Sequence, residues 1–149
     1  MALRNIIKHG DPALRKNSRK VTSFNERLSM LLDDMKETMD HFDGVGLAAP
    51  QISILRCVAI VEFEGEFIEM INPEIIESSG DALALEGCLS ILAKHCLVSR
   101  PETIKYTYQT RNGEQITNTA SGWLARIICH EIDHLSGILM IDKEQKPTQ

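Results

Sequence analysis

Two histidines four residues apart, in His130-Glu131-Ile132-Asp133-His134, constrain this chain more than any other feature of its 149 residues. On a helix such residues lie one turn above each other, so both imidazoles can reach a single metal ion. Glu131 then stands beside the open coordination position, where a carboxylate can take a proton from water. Helical spacing runs from Thr119 to about Leu135, with Trp123, Ile127, His130 and His134 on one face. Gly137 sits where a C-terminal capping glycine belongs. The plainer alternative is a surface helix with two solvated histidines. Apolar Ile127, Ile128 and Ile132 around them argue against full exposure, and buried ring nitrogens need partners that a metal can supply.

A catalytic site of this type wants a third protein ligand and leaves one position for water. Downstream the chain offers Glu144, in a polar tail. Upstream, Glu86-Gly87-Cys88-Leu89-Ser90 places a cysteine behind a glycine that permits close backbone approach. A thiolate donates more charge to a metal than a third imidazole. A buried free thiol is the commoner fate of a lone cysteine, and Cys57, Cys96 and Cys129 are read that way. Gly44-Val45-Gly46-Leu47-Ala48-Ala49-Pro50-Gln51 is no phosphate loop, because no G-K-[ST] follows and no βαβ unit surrounds it. Its glycines suggest backbone lying close to a substrate or to a helix, and Gln51 ends it with an amide donor.

Hydrophobic residues make up 43% of the chain and charged residues 25%, which excludes a disordered or fibrous protein and predicts one domain, residues 1–149, around one core. The formal charge is −5 and no long basic run exists, so neither specific nucleic acid nor an anionic membrane surface is expected as a partner. No apolar stretch reaches transmembrane or signal-peptide length, which predicts a cytoplasmic protein with reduced cysteines. Ser23-Phe24-Asn25-Glu26 reads as a capping box before an amphipathic helix carrying Leu28, Leu31, Leu32, Met35 and Met39 and ending near Asp43-Gly44. Arg56–Phe63 and Glu66–Asn72 form a predicted hairpin about Glu64-Gly65, and Thr103–Thr110 and Glu114–Thr119 another about Asn112-Gly113. The cluster Arg15, Lys16, Arg19 and Lys20 reads as a solvated face. The expected class is α+β: mainly antiparallel sheets packed around the C-terminal H-E-x-x-H helix, with an N-terminal amphipathic helix.

Taken together, Gly44–Gln51 (GVGLAAPQ), Glu86–Ser90 (EGCLS) and His130–Gly137 (HEIDHLSG) resemble, in order and spacing, the three signature motifs of the peptide deformylases. The resemblance spans nearly the whole chain. It implies removal of the formyl group from formyl-methionine at the N-termini of new polypeptides, with release of formate. It implies one divalent ion on Cys88, His130 and His134: ferrous iron physiologically, with zinc, nickel or cobalt also accommodated. Glu131 would be general base and then acid, and the Gln51 amide and the Leu89 backbone N–H would form the oxyanion hole. Gly46 would pair with substrate backbone as a peptide adds a strand. Val45, Glu86, Trp123, Arg126 and Ile127 would line or border a methionine pocket, Arg126 along the rim with its head in water. A transient ribosome contact belongs to the same picture.

The chain departs from the family pattern at Leu92, where a proline often stands, and at Cys129, where a glutamine often precedes the first histidine. It ends soon after Ile141-Asp142-Lys143, which resembles the shorter forms lacking a long C-terminal helix. Arg100 is expected to pair with a carboxylate. Two rival readings are a zincin-like peptidase, which needs a third ligand other than Cys88, and a catalytically silent homologue that binds peptide N-termini. All of Gln51, Cys88, His130, Glu131 and His134 are present, which favours the enzyme.

Overall fold

The computed structural model describes residues 2–146. Helix α1, Glu26–His41, opens where the Asn25 side chain accepts the Leu28 N–H at 3.2 Å. Asn25 is therefore the cap, and Ser23, two residues early and exposed, is not. The stripe Leu28, Leu31, Leu32, Met35 and Met39 is buried as its spacing requires.

Strands β1 (Gly46–Ala48), β2 (Val58–Phe63) and β3 (Glu66–Ser79) follow, then β4 (Ala82–Cys88), β5 (Ile91–Arg100), β6 (Thr103–Gln109) and β7 (Gln115–Ser121), and helix α2 (Gly122–Leu135). Five of them form an antiparallel sheet in the order β1-β2-β3-β6-β7. Glu64 and Gly65 both have positive φ, the geometry of the tight two-residue turn that matches strand twist. β3 runs seven residues past the expected end at Asn72, bulging twice where it pairs with β6. β7 keeps its pairing through Ser121↔Thr103, so α2 begins at Gly122 rather than Thr119. A separate two-stranded sheet, β4-β5, has no counterpart in the expected elements.

Inner strand β2 shows how the layers arise. Side chains alternate across a strand, so Val58 and Ile60 face α1 while Ala59 and Val61 face α2. All four are fully buried, and the strand therefore reads as an unbroken apolar run. Each such side chain contributes roughly 1.5–3 kcal/mol on burial. The two helices thus cover opposite faces of the large sheet. The small sheet packs at one side through Cys96 and Val98 against Met140.

The N-terminal segment laces these parts together. The Ile7 N–H donates to the Gln51 carbonyl (2.8 Å), and the His9 N–H to the Ser90 carbonyl at the tip of the small sheet (2.9 Å). Gly137 carries φ +73 and lies against the Arg15 backbone, where a Cβ would come within 2.5 Å of the Arg15 carbonyl oxygen.

Candidate metal centre

Helix α2 delivers His130 and His134 from successive turns, and β4 ends by delivering Cys88 beside them. The three donor atoms lie within 4.8 Å of one another, with Cys88 Sγ 3.5 Å from His134 Nε2. His130 Nδ1 is 2.8 Å from Glu86 Oε1, an N–H donor bond that fixes the ring and turns Nε2 toward the other two donors.

Glu86 is the hub of a buried network. Arg100 grips its carboxylate through Nε (2.8 Å) and Nη2 (2.9 Å), and Arg126 donates to it at 2.7 Å. Arg100 also reaches Asp133 at 2.6 Å, and Arg126 donates to the carbonyls of Val98 and Ala82. Burial alone would raise the Glu86 carboxyl, but the bonds from Arg100 and His130 hold it well below the ordinary carboxylate range. Arg100 pairs with carboxylates as expected. Arg126 does not lie along a rim with its head in water: it is 4% exposed, drawn inward by Glu86 and two carbonyls.

The two rings are driven in opposite directions. Burial opposes a charged His130, yet its bonds to the Cys88 sulfur and Glu86 outweigh that and push the ring up to about 10. Burial and the neighbouring His130 charge push His134 down, keeping it a neutral donor. One sulfur and two nitrogens in this environment fit a borderline divalent cation.

Two further groups aim at the same point. Glu131 is buried, its Oε1 has no hydrogen-bond partner among the described residues, and burial pushes its carboxyl up to about 7 against the pull of His130. Gln51, 1% exposed, has its orientation fixed: Oε1 accepts the Ala48 N–H at 2.9 Å, so Nε2 faces Ser90 Oγ (3.1 Å) and Cys88 Sγ (3.7 Å). Leu89 follows Cys88 at the tip of the small sheet and packs on Gly44. Gly46 lies against the helix, because a Cβ there would stand 2.5 Å from Glu131 Oε2.

Two adjoining cavities open from this point. One, about 360 Å³, is walled by Val45, Phe63, Leu85, Trp123 and Ile127, with Glu86 and Arg126 at its polar end. The other, about 330 Å³, runs between Gly44–Gly46 and Gly87–Leu89, and past Leu92. His95 borders both. All the residues expected around a methionine pocket border the first cavity, although both Glu86 oxygens are already engaged there. Sequence reading missed Phe63, Leu85 and the buried Ser90. Leu85 lies on the unforeseen small sheet, and Phe63 reads only as a strand end. Cys57, Cys96 and Cys129 are free thiols away from the convergence point, and burial pushes each of them up.

The sequence profile of the polypeptide deformylase family matches residues 3–149. The chain belongs to that family. Peptide deformylase 1 of Clostridium acetobutylicum is 49% identical over 143 residues, which cover 96% of this chain and 95% of that one. The crystal structure of the peptide deformylase of Thermotoga maritima superposes with a TM-score of 0.96 at 39% identity, covering 98% of this chain and 100% of that one. A Met-Ala-Ser-bound deformylase of Acinetobacter baumannii superposes at 0.91 with 35% identity, over 95% of this chain and 98% of that one. The deformylase fold agrees with the expected α+β class. Deformylases are metal-dependent hydrolases that remove the formyl group from N-formyl-methionine peptides, and that is the activity of this chain.

Proposed function

We propose that residues 1–149 act as one catalytic domain in which Glu131, Gln51 and Leu89 carry out the deformylation. The observation that supports it best is the convergence of Cys88, His130 and His134 on a point also addressed by a buried, unpartnered carboxylate and a fixed amide donor. A divalent ion on those three donors supplies Lewis acidity, which in well-studied zinc sites lowers the pKa of water to about 7. Ferrous iron is the physiological ion in this reading. Glu131 takes a proton from the attacking water as its oxygen bonds to the formyl carbon. The Gln51 Nε2–H and the Leu89 N–H donate to the formyl oxygen as it gains charge. As the C–N bond breaks, Glu131 gives its proton to the departing amine and formate leaves.

The remaining contacts set the substrate. The methionine side chain fills the cavity walled by Val45, Phe63, Trp123 and Ile127, and the Gly46 backbone pairs with the peptide, β1 being an edge strand. The Met-Ala-Ser complex of the Acinetobacter enzyme supports such a peptide here. A formyl carbon carries only hydrogen, so a tight site admits it and rejects bulkier acyl groups. We extend the reading to the cytoplasm and to transient ribosome contact; no helix among the described residues is long and apolar enough to cross a membrane.

Anaerobic deformylation of a formyl-Met peptide, with metal content measured on the same sample, tests this. Formate release should track one ion per chain and vanish in Cys88→Ala. A folded, metal-loaded chain that releases no formate would refute the assigned roles.

A further inference from the structure

Arg19, Lys20, Arg27 and Arg56 line one open depression of about 600 Å³, which shares no residue with the two cavities at the metal centre. No carboxylate lines it, and none of the four has an ion-pair partner among the described residues. With four positive charges here and −5 overall, the rest of the chain carries −9. The sequence shows no basic run because Arg27 and Arg56 come from separate segments.

The backbone beneath the cations is fixed. Arg19 and Arg56 form a parallel bridge, in which the Arg19 N–H donates to the Leu55 carbonyl (2.9 Å) and the Cys57 N–H to the Arg19 carbonyl (2.8 Å). Asn72, in the left-handed region at φ 53, clamps both the N–H and the carbonyl of Val21. Arg27 leaves from the first turn of α1, whose free N–H groups add positive potential.

Three guanidinium forks match phosphate oxygens better than they match any other common anion. Among the described residues no large exposed apolar side chain lines the depression, whereas Val45, Leu85, Leu92 and Trp123 stand around the substrate cavities. It therefore lacks both the anchor of a protein interface and the wedge of a membrane-surface binder. Nor do the described residues lining it include an aromatic ring on which a base could stack.

We infer that this depression docks RNA through its phosphates, without reading sequence. The acidic remainder of the surface repels a polyanion and leaves this face as the approach. The choice of RNA over DNA rests on the deformylase reading, since formyl-methionine chains emerge from machinery built largely of RNA.

The test is binding of a labelled single-stranded RNA to the metal-loaded full chain across a salt series, with deformylation of a free formyl-Met peptide measured on the same samples. Four phosphate contacts predict a log–log salt slope of about −3. R19E/R56E should weaken RNA binding about tenfold or more, while K8E/K105E, the same charge change elsewhere, should leave it near the wild-type value. Lys20→Gln/Arg27→Gln gives a second, milder variant should the first fail to fold. Deformylation should be unchanged in every variant; an inactive wild-type chain that still binds RNA would count against the enzyme reading alone, and a double reversal that loses both activities is misfolded and gives way to the milder variant. Equal losses in both double-reversal variants, a slope near zero, or tighter binding to anionic vesicles than to RNA would overturn the inference.

Discussion

Gly46 has room for a hydrogen and nothing larger. A methyl group there would meet Glu131 Oε2 at 2.5 Å and its Cδ at 2.9 Å, so the carboxylate must swing away toward the cavities it borders. Gly46→Ala should therefore lower kcat by about tenfold or more through displacement of the proton carrier, with one ion still bound per chain; kinetics and metal analysis on one sample decide it. Glu131→Gln keeps the packing and removes the proton transfer. It should retain the ion while kcat falls by about 10²–10⁴, and near-normal turnover would refute the general-base role. These residues were legible because their chemistry sits in short contiguous motifs. Cys88 was less so: its case from spacing alone was weak, and what sets it apart from the other three thiols is its place beside His134, 46 residues away.

The element that carries most of the site's support is also the one least visible beforehand. β4 and β5 turn Leu83, Leu85 and Leu92 outward, at 57%, 59% and 69% exposure, and turn Glu86 and Arg100 inward. An alternating pattern announces a strand only when its inner face is apolar, and β4 reverses that, with leucines outside and Glu86 inside to build a charged network. Arg126 misled for the same reason, since its partner Glu86 lies 40 residues away on an unforeseen strand. The other two hairpins carried glycine turn signals and were foreseen, with errors at their ends. Glu86→Gln should expose the worth of the network. Losing the charge between two buried guanidinium groups should cost about 3–5 kcal/mol of stability, and the loosened His130 ring should weaken metal binding about 10- to 100-fold. Urea unfolding and chelator competition measure the two separately.

Across the whole molecule, the segment around Arg15 is tied to the one around Asp142. Asp142, in a short 3-10 turn at Met140–Lys143, takes a bond from Arg15, which ends a similar turn at Pro12–Arg15, and this outweighs partial burial to hold its carboxyl below the usual range. A carboxyl with a depressed folded-state pKa adds stability above its unfolded value, near 3.9, and loses it as pH falls through the folded one. Asp142→Asn should thus be the less stable protein at neutral pH, by no more than about 1 kcal/mol because both side chains are over a third exposed. The gap should close toward pH ~2, which urea melts of both proteins across that range would show. The small sheet has a different dependence. Cys88 ends one of its strands while His134 belongs to the helix, so an ion on both closes a chain loop as a disulfide would, but reversibly. Each tenfold excess of free ion over its dissociation constant then adds about 1.4 kcal/mol to the folded state. Chelation should lower the Tm, and amide hydrogens of β4 and β5 should exchange with solvent before those of the five-stranded sheet. Metal scarcity would be felt by this protein first as the fraying of one hairpin, well short of unfolding.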